Sequence, residues 1–135
     1  MDRIHSIARR DLRCEDVLRS LYDINDIECR AFFVLSSVGS ATLDEMAELL
    51  HKERSSVHRI LEKLVSLRLC YKESESIRGG GHKNIYYAIP PGSVRNDAVS
   101  ILEDFYLAMK EKAECLDQYI AMEISKYASA YSENR

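Results

Sequence analysis

The feature that most constrains the fold is one change in the spacing of apolar residues near the middle of the chain. Up to about residue 67, apolar side chains recur every three or four positions, as in amphipathic helices. Two short segments rich in β-forming residues follow, over 69–72 and 84–89. A polar segment ending in Gly79-Gly80-Gly81 separates them. This part of the sequence therefore predicts two strands joined by a mobile loop.

The helical part of the chain divides at residues suited to helix ends. We expect an N-terminal helix from Ile4 to Tyr22. Asn25 and Glu28 have the spacing of a capping box, which predicts a second helix that ends at Gly39.

A third and a fourth helix are expected on either side of a tight turn. Thr42 and Glu45 form another capping box, ahead of a helix of about two turns. After the turn at 51–53, a further helix over 54–67 carries one apolar stripe. Its other face leaves Arg54, Ser55, His58, Arg59, Glu62 and Lys63 for solvent or a partner.

Beyond Pro90-Pro91-Gly92, which closes the strand region, the sequence predicts one long helix. From residue 93 to about 131 no Pro or Gly interrupts, and the apolar residues follow an eleven-residue repeat, which indicates a nearly straight or slightly right-handed helix. Such a helix cannot bury its stripe alone. We therefore expect residues 93–135 to form a homodimer, with residues 1–23 in support through Ile4, Ile7, Leu18 and Leu21; folding of the terminal helix back onto its own domain stays open. The predicted dimer contacts are Leu102, Phe105, Met109, Leu116, Ile120 and Ile124.

Charge is distributed unevenly along the 135 residues. The net charge is −3, yet residues 51–68 carry five basic and two acidic side chains. Because phosphate contacts depend on the local patch, the acidic total does not exclude a nucleic-acid partner. The chain has neither an apolar run long enough for a membrane helix nor the apolar core of a secretory signal. We expect a cytoplasmic protein with no membrane partner.

The reactive residue types form no known catalytic or metal-binding pattern. His5, His51, His58 and His82 lack ligand spacing, and no nucleophile elbow or phosphate-binding loop is present. We expect no enzyme activity, no catalytic residue, no cofactor and no metal. The four cysteines suit the role of small reduced hydrophobes, with redox or metal control through Cys70 or Cys115 as an alternative.

The order helix, helix, turn, helix, hairpin is that of a winged helix-turn-helix. We predict a mainly α fold with a small β-hairpin, in which residues 24–92 form the DNA-binding domain. In this arrangement the helix after the turn enters the major groove of double-stranded DNA. The loop over 78–83 would be the wing, since its glycines permit close approach and its cations suit phosphates or a narrow minor groove. The predicted DNA contacts are Arg54, Ser55, Ser56, His58, Arg59, Lys63, Arg78, Gly79, Gly80, Gly81, His82 and Lys83.

Four segments resemble archaeal TrmB-type transcriptional regulators of the short, single-domain kind. They are NDIE at 25–28, ATLDEMAELL at 41–50, RSSVHRILEKL at 54–64 and GGGHKNIYYAIPP at 79–91. The resemblance implies major-groove contact by Arg54, Ser55, Ser56, His58 and Arg59, and backbone contact by the wing. Three positions depart from the family pattern: His51 and Arg68 replace the usual Gly, and Glu53 replaces the usual Ser or Thr cap.

The resulting hypothesis is a sequence-specific, dimeric DNA-binding regulator, most readily a repressor that acts by occlusion. The alternative is a winged-helix protein-protein interaction module of a transcription assembly, which the acidic ends of the chain and the unfavourable Glu53 suggest.

Overall fold

The structure, a computed structural model, describes residues 11–133. Its helices are α1 (Cys14–Tyr22), α2 (Asp26–Val38), α3 (Leu43–Leu50), α4 (Arg54–Ser66), α5 (Pro91–Glu114) and α6 (Leu116–Glu133). Its strands are β1 (Ser40–Thr42), β2 (Cys70–Ser76) and β3 (His82–Ala88). This is the mainly helical winged helix-turn-helix that the sequence predicts.

Helix α1 is shorter than the predicted N-terminal helix. Residues 11–13 are not helical, so the continuous helix expected from residue 4 to 22 is wrong there. The Arg13 backbone N–H donates to Asp16 Oδ2 at 3.0 Å, a bond that suits a helix start. Ile4 and Ile7 lie outside the described residues.

Both predicted capping boxes are present. Asn25 N–H donates to Glu28 Oε1 at 2.8 Å, and Glu28 N–H returns a bond to Asn25 Oδ1 at 3.0 Å. Thr42 and Glu45 exchange the same two bonds at 2.9 and 3.2 Å. These local bonds fix where α2 and α3 begin, and hence the spacing of the helices that carry the site.

The sheet has three antiparallel strands, one more than predicted, in the order β1, β3, β2. Strand β1 pairs with β3 so that Ala41 lies opposite Tyr86. The hairpin is also longer than predicted, since β2 and β3 stay paired from Cys70 opposite Ala88 to Ser76 opposite His82. Residues 71–76 are exposed, so β2 beyond Cys70 has no buried face that would mark it as a strand in the sequence.

The core lies among α2, α3, α4 and the sheet. Leu35, Met46, Leu61 and Leu64 are fully buried there, and Tyr86 of β3 is 1% exposed. Each such side chain contributes about 1.5–3 kcal/mol through burial. The core therefore holds α4 and the hairpin in a fixed relation within this part of the chain.

The chain divides into two compact units, one ending at Ala98 and one beginning at Val99. Helix α5 starts at Pro91, two residues before the predicted start, because proline is well suited to the first helical position. The predicted single long helix is wrong at Cys115, where α5 ends before α6 begins. There the Cys115 N–H bonds to Lys112 O, three residues back, at 3.2 Å, a local tightening of the helix.

The described part of the second unit contains no buried residue over 99–132. The six predicted dimer contacts are between 41% and 62% exposed. None of the helices over residues 11–133 combines the length and the hydrophobicity of a membrane-spanning segment.

Candidate nucleic-acid interface

Helix α4 and the β2–β3 hairpin border a groove of about 1070 Å³. It is lined by five of the predicted DNA-contact residues, Arg54, Ser55, His58, His82 and Lys83. The first three come from α4 and the last two from β3. The structure thus brings together the two segments that the sequence singled out separately.

Three buried residues decide which side of α4 faces outward. Val57, Leu61 and Leu64 are 0% exposed, so their stripe fixes the inner face of the helix. Arg54 and His58, four residues apart, then lie on one outer side, facing the groove. Arg59 is exposed, and it lies with the partly buried Ser56 on the other flank, where they line a separate hollow of about 370 Å³.

Arg54 forms an ion pair within the groove. Its Nε donates to Asp44 Oδ1 of α3 at 2.8 Å, while the two side chains remain 70% and 77% exposed. Asp44 was not among the predicted site residues. Its only sequence signal is its place in the first turn of a capped helix, which ordinarily indicates a stabilising interaction with the helix dipole.

A second ion-pair group ties the middle of α4 to β2. Glu62 Oε1 accepts from Lys72 Nζ at 2.6 Å and lies 3.4 Å from His58 Nε2. The hydrogen bond to Glu62 raises the pKa of Lys72. Glu62 therefore neutralises a cation of the hairpin and lies beside a histidine of the groove.

Lys63 lies outside the groove. Its ammonium donates to Glu28 Oε1 at 2.9 Å and to the Asp23 carbonyl at 3.0 Å. Glu28 is the buried acid of the α2 capping box, 8% exposed. The structure thus gives Lys63 a role in anchoring α4 to the start of α2. Within the described chain, Arg59 forms no ion pair of this kind.

The wing turn depends on its glycines. Gly79, Gly80 and Gly81 have φ of 99°, 110° and 84°, a region that favours glycine. The turn closes with Gly80 N–H to Ile77 O and Ile77 N–H to Gly81 O, both at 3.0 Å. The turn itself spans 77–81, so His82 and Lys83 belong to β3 rather than to the predicted loop. Arg78 is exposed within the turn.

Other groove residues were not among the predicted DNA contacts. Asn84 and the buried Tyr86 line the groove from β3, and Thr42 lines it from the end of β1. Burial raises the pKa of Tyr86, and the nearby carboxylate of Glu62 adds to the effect. Thr42 also lowers the pKa of Glu45 through backbone and side-chain hydrogen bonds, with a smaller contribution from the charge of Lys83.

The three departures from the family pattern fall at positions of special backbone conformation. His51 and Arg68 have φ of 53° and 63°, which glycine adopts with less strain. Glu53 caps α4 without a side-chain hydrogen bond. The backbone at these positions therefore has the conformation that suits the usual family residues, although the residues present here suit it less well.

The cysteines differ in accessibility. Cys29 and Cys70 are buried, as expected of small hydrophobes, whereas Cys14 and Cys115 are exposed. Burial raises the pKa of Cys70 to about 12. A thiol with so high a pKa stays protonated near neutral pH and is therefore unreactive, which disfavours Cys70 as a redox or metal sensor. Over residues 11–133 no three His, Cys, Asp or Glu side chains are grouped as a metal site.

Two curated relatives come from Methanocaldococcus jannaschii, and both are uncharacterised proteins. One is 29% identical over 99 residues, covering 72% of this chain and 80% of its own length. The other is 22% identical over 103 residues, covering 76% and 78%.

Solved structures share the fold at low sequence identity. A possible transcriptional regulator from Methanosarcina mazei Go1 matches with a TM-score of 0.66 and 18% identity over 74% of this chain and 85% of that one. The ST1889 protein of Sulfolobus tokodaii gives a TM-score of 0.57 and 21% identity over 70% and 93%. TrmBL2, an archaeal chromatin protein, gives 0.56 and 20% over 76% and 36%.

The family assignment comes from the sequence profile described as "Sugar-specific transcriptional regulator TrmB", which matches residues 14–92 of the 135. The match spans α1 to the start of α5 and so includes the whole groove. This chain belongs to the TrmB family of transcriptional regulators.

Proposed function

We propose that this protein is a regulator that binds double-stranded DNA in the groove between α4 and the hairpin. The observation that carries the proposal is the convergence of Arg54, Ser55 and His58 of α4 with His82 and Lys83 of β3. Helix–turn–helix proteins place the N-terminal residues of this helix against base edges in the major groove. An arginine there can bond two acceptors of guanine, while serine and histidine suit phosphates or base edges.

The wing supplies the second contact. Arg78 in the turn and Lys83 in β3 can approach the sugar-phosphate backbone or a narrow minor groove beside the helix. Cations of the wing position the duplex, and α4 reads it. The fold is shared with TrmBL2, an archaeal chromatin protein whose structure is described as showing a novel mode of DNA binding, which supports DNA binding by a protein of this fold.

A second copy of the chain completes the proposed regulator. The stripe on α5 and α6 contains Phe105 and Leu116, 53% and 51% exposed, and continues through Ile124 at 62%. Exposed apolar side chains in a contiguous row are typical of association surfaces. We infer that two copies pair along this stripe and present two α4 helices about 34 Å apart, one turn of DNA. A dimer on a pseudo-palindromic site would repress by occlusion.

Removal of the α4 arginines tests the proposal. The duplex is first selected from a random pool by the wild-type protein, and its affinity is then measured for Arg54→Ala and Arg59→Ala. Each loss is expected to weaken binding by about tenfold or more, since a good bidentate contact to a base is worth about 1–3 kcal/mol. Arg30→Ala removes an exposed arginine of α2 outside the groove and is the matched control. Unchanged affinity in both α4 variants would remove recognition from this helix.

Salt dependence separates this proposal from the protein-interaction alternative. Contacts to several phosphates release counterions, so the affinity for the duplex is expected to fall steeply between low and moderate salt. A module that docks proteins through the second unit would select no duplex and show no such dependence.

A further inference from the structure

We propose that Asp44 is a positioning residue that sets the base preference of Arg54, so that the pair reads guanine in the major groove. The inference rests on the DNA-binding function proposed above and adds a specificity determinant on α3, outside the recognition helix. It begins from the Arg54 Nε to Asp44 Oδ1 hydrogen bond of 2.8 Å at the mouth of the groove.

The geometry of the bond determines what the guanidinium can still do. Arginine has five N–H donors in a rigid plane, and Asp44 engages the one on Nε. The two terminal nitrogens are left with their four donors, and among the described residues no other side chain pairs with Arg54. Two parallel donors at the end of a fixed plane match the O6 and N7 acceptors of guanine.

The position of Asp44 argues against a passive role. The carboxylate is 77% exposed in a groove that also contains Lys83 and His82. A fixed negative charge there repels every phosphate that approaches, whatever the sequence of the duplex. In the free protein an exposed pair of this kind stabilises the fold only slightly. Asp44 therefore costs general affinity, and restriction of the Arg54 rotamer is the benefit that offsets the cost.

Loss of Asp44 should therefore change base preference and general DNA affinity in opposite directions. For Asp44→Ala we expect the preference for guanine at the Arg54 base pair to fall about tenfold, the size of one lost bidentate alignment. Affinity for duplexes without the site is expected to rise, by up to about fivefold, because a repulsive exposed charge is gone. A merely structural role would instead leave base preference unchanged, or weaken binding to all duplexes alike.

The variants are compared on a set of duplexes that differ from the selected site by one base pair each. Arg54→Ala first identifies the base pair that Arg54 reads, as the position where preference disappears. Asp44→Asn keeps an oxygen that can accept from Nε but removes the charge, so it should retain part of the preference while gaining general affinity. The double variant should show no further loss of preference beyond Arg54→Ala.

A matched control separates this effect from helix stability. Asp26 also lies in the first turn of a helix and also pairs with an arginine of a neighbouring helix, Arg19 of α1, but it lies outside the groove. Asp26→Ala should leave base preference unchanged, with folding of all variants checked by thermal unfolding.

The outcomes distinguish the two proposals. If the wild-type protein selects no duplex, the proposed function fails, and this inference fails with it. If the protein binds and Arg54→Ala abolishes preference at one base pair while Asp44→Ala retains it in full, only the role of Asp44 is overturned. If Arg54→Ala changes preference at no position, Arg54 reads no base and the inference is likewise overturned, while DNA binding itself stands.

Discussion

The two units of this chain use similar apolar side chains in opposite ways. In the first, Leu61 and Leu64 are 0% exposed within a core shared by three helices and a sheet. In the second, Leu116 and Ile120 are 51% and 46% exposed, although their helical spacing is equally regular. The first unit buries these apolar side chains within the chain, whereas the second leaves its apolar side chains exposed.

This difference shows that periodicity predicts a helix and its apolar face but not what covers that face. The apolar face of α4 packs against other elements of the same chain, and this packing directs its opposite face toward the groove. For α5 and α6 we propose that the cover is a second copy.

The largest effect is expected from the same substitution made in each unit. Leu61→Ala leaves a cavity in the core and should lower the free energy of unfolding by about 2–5 kcal/mol. Leu116→Ala should lower stability only as far as it weakens association, so its effect should depend on protein concentration. Urea unfolding at two concentrations measures both. Equal, concentration-independent losses would remove the contrast between the units.

A charge placed on the stripe should break the proposed dimer. Ile120→Glu buries a carboxylate if two copies pair there. We expect the dissociation constant of the dimer to rise at least about a hundredfold, because an unpaired buried charge is strongly destabilising. Gln118→Glu adds the same charge to the opposite face of α6 and is the control. Sedimentation equilibrium reports both. A dimer that persists in Ile120→Glu would show that the stripe is not the interface.

Within the first unit, Lys63 should matter for folding more than for DNA. Lys63→Met leaves the buried Glu28 carboxylate with one partner fewer, and we expect a loss of about 1–3 kcal/mol in the free energy of unfolding. Affinity for the selected duplex should change far less than in Arg59→Ala. A larger loss of DNA affinity than of stability in Lys63→Met would place Lys63 in the DNA interface and contradict its anchoring role.

A gradual effect is expected at alkaline pH. Burial raises the pKa of the Cys70 thiol from 9.0 to about 12. Between these values the unfolded chain loses a proton that the folded chain keeps. The contribution of Cys70 is therefore complete below pH 9 and is lost as the pH rises toward 12, by at most about 1.4 kcal/mol per pH unit.

Denaturant unfolding in reductant from pH 8 to 11 measures this slope. Cys70→Ala should decline less steeply than the wild type, while Cys14→Ala, at an exposed position, should follow it. Identical slopes in all three proteins would mean that the Cys70 thiol titrates alike in the folded and unfolded chains.

Local chemistry explains what the sequence predicted well. Capping boxes at Asn25 and Thr42 use bonds between residues three apart, so they can be recognised without knowing the fold. The three glycines of the wing all adopt the positive φ for which glycine is suited. The helix faces of α4 followed from the same reasoning, because three buried residues fix the whole orientation.

Long-range pairing explains what the sequence missed. Strand β1 has only three residues and exists because Ala41 pairs with Tyr86, forty-five positions further along the chain. Lys63 lies on the polar side of α4 as predicted, but its partner Glu28 comes from another helix. Neither Asp44 nor the interruption at Cys115 carries a distinctive local signal, since no Pro or Gly marks the latter.

The central claim is that two copies of the chain bind one duplex, each through its own groove between α4 and the hairpin. The most direct measurement is a titration of the selected duplex with wild-type protein and Lys83→Ala over a range of salt concentrations. We predict two chains per duplex and a steep fall of affinity with salt, with the slope in Lys83→Ala reduced by about 2 because each of the two copies loses one phosphate contact. Affinity independent of salt, or the same slope in both proteins with one chain per duplex, would contradict the account.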